Sequence, residues 1–156
     1  MAKFLIVVGT VNGHAFAAAQ GAAALLNKLG HSTHINLHTQ PADLMRDTQE
    51  IILACCSTTD QGKLPYNIYP LYRALEDQQL NLSDRHYGII ALGDSYFPPH
   101  QYALGGISLE NAFYSCGAKR IGDIGLLDAQ SVENYPLAAA LWVQNWLQKM
   151  PACIAQ

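Results

Sequence analysis

A chain of 156 residues, half of them hydrophobic and 13% charged, holds enough apolar material for one complete core and is sized for a single domain over 1–156. Its formal net charge of −3, with no basic stripe, argues against nucleic acid as a partner. The longest apolar runs, such as Phe4 to Val8 and Leu137 to Val143, fall well short of the roughly 20 residues that cross a bilayer, so no membrane association is expected. Met1-Ala2-Lys3 leads straight into a strand-like run rather than a leader, and the expected location is cytoplasmic.

Phe4-Leu5-Ile6-Val7-Val8 is a continuous apolar run ending at Gly9, the pattern of a central parallel strand covered on both faces. His14 to Leu29 is rich in alanine and leucine, both good helix formers, with Gly30 as its stop signal. Thr33 to Leu37 is a weaker, more polar strand suited to a place nearer the sheet edge. Ile51 to Cys56 is the next buried strand. A loop, Ser57 to Tyr66, precedes a helical stretch that runs to Leu80. Tyr87 to Leu92 is a fourth strand, followed by a long loop, Gly93 to Leu104, and a helix over Gly106 to Ser115. Ile121 to Leu126 is the fifth strand, and a helix over Val132 to Lys149 closes the chain. Strands alternating with helices predict the α/β class: a doubly wound, five-stranded parallel sheet with right-handed crossovers and helices on both faces.

The cysteines at 55, 56, 116 and 153 show neither CxxC nor Cys/His metal spacing. They read as reduced, core-filling residues, with a redox role for the vicinal pair as the competing reading. His34 and His38 share a strand face but lack a third ligand, so no metal site is expected.

In an open α/β sheet the ligand lies beyond the carboxyl ends of the strands, where the strand order reverses. With the order 2-1-3-4-5, the loops after the first, third and fourth strands meet at that edge. Thr10-Val11-Asn12-Gly13-His14-Ala15 runs into a helix, so its N–H groups, the helix N-terminus and the Thr10 hydroxyl suit an anion. Gly13 allows the bend. No lysine follows that glycine and no GxGxxG is present, which favours a monophosphate over a triphosphate or a dinucleotide; an ordinary strand-to-helix turn is the alternative. Ser57-Thr58-Thr59 presents consecutive hydroxyls, suited to a phosphate or a polyol chain, before the flexible Gly62; here the alternative is a solvated loop. In Gly93 to Ala103, the aromatics Tyr96, Phe97 and Tyr102 crowd a loop where the core does not need them. A flat conjugated ligand would; mutual packing or a protein-contact patch competes.

In this order, a [ST]-x-[TN]-G-x-[TA] loop, an S-T-T loop and a G-D-S loop with aromatics resemble the flavodoxins over essentially the whole chain. The direct passage from the fifth strand to the last helix resembles the short-chain group, and S-T-T-x-x-G-x-x-P resembles the MioC-like branch and the FMN domains of diflavin reductases. The resemblance implies FMN. Thr10, Val11, Asn12, Gly13, His14 and Ala15 would hold its phosphate. Ser57, Thr58, Thr59 and Gly62 would lie along the ribityl and ring side, and Leu92, Gly93, Asp94, Tyr96, Phe97, Tyr102 and Ala103 around the isoalloxazine. The chain departs from the family in four places. Phe97 stands where members carry tyrosine, with Tyr96 beside it. Pro98 and Pro99 lengthen the loop. Ala103 occupies the position of a usual cysteine. Thr59 replaces a frequent tryptophan, leaving Tyr66 or Leu64 to cover that face of the flavin, or the face open.

The same resemblance implies an electron carrier between an NADPH-dependent flavodoxin reductase and acceptor enzymes, moving electrons largely one at a time. The cofactor does the redox chemistry and the protein tunes it, so no residue is expected as acid, base or nucleophile. A second reading is an NAD(P)H-dependent FMN oxidoreductase of quinone or azo type, which needs extra loops or a dimer pocket over the flavin. Gly-x-Ser-x-Gly and the acidic cluster of a receiver domain are absent.

Overall fold

The apolar run that follows Met1-Ala2 forms β1 (Lys3–Gly9) in a computed structural model that describes residues 1–152. β1 lies between β2 (Ser32–Asn36) and β3 (Ile51–Cys56), and β3 lies against β4 (His86–Gly93), with every pairing parallel. The order is the expected 2-1-3-4-5. β2, partly exposed throughout, takes the edge that its polar composition predicts.

Side chains alternate along each strand and so divide between two layers. Phe4, Ile6, Val8, Leu53 and Cys55 pack with α1 (His14–Lys28) and α4 (Tyr135–Leu147). Leu5, Val7, Ile52, Ala54 and Cys56 pack with α2 (Tyr69–Glu76) and α3 (Leu104–Ser115). The vicinal cysteines therefore point to opposite faces of the sheet. Both are fully buried, and that burial pushes the Cys55 thiol up to about 12 and raises Cys56 as well. They fill the core, as does the free and buried Cys116; Cys153 lies outside the described residues.

α1 turns a run of alanines, Ala15, Ala18, Ala19 and Ala22, toward the sheet. On its other side, a Cβ added at Gly21 would stand 2.1 Å from the Pro136 carbonyl oxygen. The two helices thus meet backbone to backbone, the first turn of α4 lying against the middle of α1. No described helix is long and apolar enough to cross a membrane.

Three of the differences from the sequence expectation have a visible local cause. α2 stops at Glu76 rather than Leu80, because Gln78 takes a left-handed φ of 56° and the N–H groups of Gln78 and Gln79 return to the carbonyls of Leu75 and Ala74, a Schellman ending. The fifth sheet position holds two short strands, β5 (Lys119–Arg120) and β6 (Gly125–Asp128), both paired with β4. Gly122, with φ 65°, turns the chain out between them, and the Trp146 indole N–H holds the detour by donating to the Ile121 carbonyl at 2.9 Å. α4 begins at Tyr135 rather than Val132: Asn134 caps it, accepting from the Leu137 N–H at 3.0 Å, and Pro136 fits its first turn.

Candidate cofactor cleft

Neighbouring strands of a parallel sheet end at the same edge, so the loops leaving β1, β3 and β4 come together. They enclose a cleft of about 510 Å³.

From the first loop, Val11, Asn12 and His14 line this space. Thr10 and Gly13 stand behind it and shape the turn: the Gly13 N–H donates to Thr10 Oγ1 at 3.0 Å, and the Thr10 N–H donates to Asn67 Oδ1 at 2.9 Å. Gly13 takes φ 88° and, having no side chain, caps nothing. The first-turn N–H groups of α1 are consequently left for a ligand. Ala15 is buried against the core.

Ser57, Thr58, Thr59 and Gly62 line the cleft, together with Asp60. The Thr58 hydroxyl is already engaged: it donates to the Leu92 carbonyl and accepts from the Gly105 N–H, both at 3.0 Å. It ties the β3 loop to the end of β4 and the start of α3. Thr59 closes its own turn, its N–H and hydroxyl donating to the Lys63 carbonyl at 2.8 and 3.0 Å. Neither Tyr66, 88% exposed, nor buried Leu64 lines the cleft, which stays open on that side.

The third loop contributes Leu92, Gly93, Asp94 and Phe97. Of its three aromatics only Phe97 lines the space. Tyr96 is 79% exposed and packs edge-on against Phe97, with centroids 5.4 Å apart. Tyr102 sits behind Gly93, where a Cβ would meet its ring at 2.9 Å, and Ala103 is fully buried. The loop is clamped from the end of β6. Ser95 N–H donates to Asp128 Oδ1 at 3.0 Å, the Gln130 side-chain amide to Asp94 Oδ1 at 2.7 Å, and Ala129 N–H to the Gly93 carbonyl at 2.9 Å. Hydrogen bonds from the Ser95 and Gln130 N–H groups hold the Asp128 carboxyl below its ordinary range.

Three lining residues escaped sequence reasoning: Gln101, Ala129 and Tyr135. Ala129 and Tyr135 carried a usable signal, since the connection after the fifth sheet position must open on the same edge as the other strand-to-helix loops. Burial, with Asp94 and Asp128 nearby, pushes the Tyr135 phenol up. Among the described residues no lysine or arginine lines the cleft, and no group of three His, Cys, Asp or Glu residues is placed to hold a metal. No hydrogen bond joins any two of the lining groups His14, Asp60, Asp94 and Tyr135 among the described residues. Free amides at one end, hydroxyl-bearing loops along the side and the flat faces of Phe97 and Tyr135 suit a phosphorylated ligand with a planar ring.

The sequence pattern described as flavodoxin matches residues 6–142. Flavodoxin YqcA of Pectobacterium carotovorum subsp. carotovorum is 34% identical over 152 residues, covering 97% of this chain and 99% of that protein. Protein MioC of Escherichia coli is 30% identical over 152 residues, covering 94% and 97%. Among solved structures, a cysteine-to-serine variant of a flavodoxin from Pseudomonas aeruginosa superposes with a TM-score of 0.84 at 29% identity, over 92% of this chain and 95% of that one.

Proposed function

This chain belongs to the flavodoxin family, FMN-binding electron-transfer proteins, and from that premise we propose that it carries electrons, largely one at a time, between an NADPH-dependent flavodoxin reductase and acceptor enzymes. One observation carries the reading. Three loops from adjacent strand ends share a single cleft lined by amides, hydroxyls and flat apolar side chains, without a lysine or arginine.

FMN, when bound, supplies the redox chemistry. The chain binds it, orients it and sets the surrounding charge. The N–H groups of Val11, Asn12 and the first turn of α1, His14 and Ala15 included, take the phosphate, where helix-end amides favour negative charge. Thr10 and Gly13 hold that loop in shape. Ser57, Thr58, Thr59 and Gly62 border the ribityl and ring side. Leu92, Gly93, Asp94 and Phe97 wall the ring, with Tyr102 and Ala103 supporting them from behind and Tyr96 at the rim. The Asp94 carboxylate, which lines the cleft, would disfavour negative charge on a bound flavin. Gly62, with φ 79°, lets the peptide before it reorient, so the 60–62 turn would offer a backbone carbonyl to a bound flavin. No side chain acts as acid, base or nucleophile.

The purified protein should show flavin absorption bands, and the flavin released by denaturation should be FMN. Mixed with NADPH in a stopped-flow instrument, the bound flavin should bleach slowly, and quickly once a flavodoxin reductase is added. Rapid bleaching by NADPH alone would overturn the carrier role in favour of an NAD(P)H-dependent oxidoreductase.

A further inference from the structure

Asn67 lies outside the cleft, in a short turn at Tyr66–Ile68, yet its side chain grips the backbone around the first loop at three points. Nδ2 donates to the Val8 carbonyl at 2.6 Å and to the Leu37 carbonyl at 2.9 Å. Oδ1 accepts from the Thr10 N–H at 2.9 Å. These partners belong to the end of β1, the segment that follows β2, and the first residue of the loop entering α1. The amide orientation is unambiguous, because the reverse placement would set an NH₂ against an N–H and an oxygen against two carbonyls. Gly9 makes room for the arrangement. A Cβ there would stand 3.0 Å from Cys56 Sγ and 3.2 Å from Ile68, so its absence lets the turn lie against the end of β1.

Thr10 transmits the constraint. Its N–H is fixed by Asn67, and its Oγ1 accepts from the Gly13 N–H at 3.0 Å. Gly13 then takes the left-handed φ of 88° that opens the first turn of α1 toward the cleft. Asn67, Thr10 and Gly13 thus form a chain of hydrogen bonds that runs from the back of the site to the amides at its front.

We propose that Asn67 is a positioning residue for the phosphate: it sets the aim of the loop amides from behind, without touching the cofactor. This rests on the reading that the phosphate of FMN sits at the Thr10–Ala15 loop.

The test compares FMN with riboflavin, which lacks the phosphate, by fluorescence titration of the apoprotein. The wild type should bind FMN more tightly than riboflavin. Asn67→Ala and Asn67→Leu, both uncharged, should weaken FMN binding roughly tenfold while changing riboflavin binding by less than about twofold. Folded variants that lose affinity for both ligands alike would show a merely structural role and overturn the inference, as would variants that keep the wild-type ratio. A wild type that does not distinguish the two ligands would overturn the phosphate reading itself, and the inference with it. A measurement on the unmodified protein does not depend on the variants folding. The ¹⁵N–¹H signals of the Asn67 side-chain amide and of Thr10 should shift on adding FMN and shift much less on adding riboflavin; equal shifts would overturn the coupling.

Discussion

The imidazole of His14 lies flat on the phenol ring of Tyr135, with ring centroids 4.7 Å apart and planes 15° from parallel. One ring begins α1 and the other begins α4, and the two helices are drawn together where Gly21 meets Pro136. Both residues line the cleft. The stack is therefore a wall built from two helix starts far apart in sequence, next to the free amides of α1.

Tyr135→Ala removes that wall and releases the His14 ring. Stacked aromatic pairs contribute about 0.5–1.5 kcal/mol beyond their buried area, so FMN affinity should fall several-fold. Tyr135→Phe keeps the flat face and should bind nearly as the wild type does. Fluorescence titration of the apoproteins reads both, and an unchanged affinity in Tyr135→Ala would remove Tyr135 from the site.

Thr58 makes a sharper structural prediction, because one hydroxyl joins three segments. Thr58→Val keeps the shape but leaves the Leu92 carbonyl and the Gly105 N–H without their partner. Unmade hydrogen bonds of this kind cost about 1–3 kcal/mol. The urea midpoint should fall accordingly, with FMN affinity falling alongside it, and Thr58→Ser should restore both. A Thr58→Val protein as stable as the wild type would mean that the hydroxyl does not hold the loops together.

The first four strands and the three loops were legible in the sequence because each depends on a local pattern: an apolar run ending at Gly9, hydroxyls after Cys56, glycine and aspartate after Leu92; the strand order is no local property and went with the assumed fold. Residues placed by packing between distant segments were not singled out, even where, as for Tyr135, the preceding connection had to open on this edge. Tyr135 arrives because α4 packs on α1, and Asn67 reaches Thr10 across 57 residues. The aromatic loop illustrates the same limit in reverse. Its composition showed that the rings were not needed in the core, but not which way they face. Tyr102 went behind Gly93 because glycine leaves that space, and Tyr96 went outward, leaving Phe97 at the cleft. The break in the fifth sheet position turns on the left-handed Gly122, and Gly122-Asp123 between Ile121 and Ile124 does not by itself distinguish a detour from a bulge in one strand.

Gln78 offers a stabilising substitution. It ends α2 in a left-handed conformation, φ 56°, where glycine carries no steric penalty. Gln78→Gly should raise stability by about 0.5–1 kcal/mol, offset slightly by the exposed 3.3 Å hydrogen bond from its amide to the Ser115 carbonyl. Gly117 ends α3 in the same way with φ 88°, so Gly117→Ala should shift the thermal midpoint in the opposite direction. Equal midpoints for all three proteins would contradict both expectations.

Acid should loosen the clamp on the third loop. Asp128 Oδ1 accepts the N–H groups of Ser95 and Gln130, each at 3.0 Å, and these bonds hold its carboxyl below the ordinary value of 3.8. The unfolded chain consequently takes up this proton at a higher pH than the folded one. The stabilisation is whole above the ordinary value and is lost as the pH falls through the lower, folded one. Asp43, bonded to the Gln40 N–H and the Asn36 amide, and Asp47 shift in the same direction and act over the same range. Stability and FMN retention should therefore decline together below about pH 4. Asp128→Asn keeps an acceptor oxygen but carries no charge, so it should be less stable than the wild type near neutrality, and the difference should close as the wild-type carboxylate is protonated. Urea midpoints for both proteins between about pH 7 and about pH 3 measure the gap. A gap that stays constant across that range would show that the clamp does not depend on the ionised carboxylate.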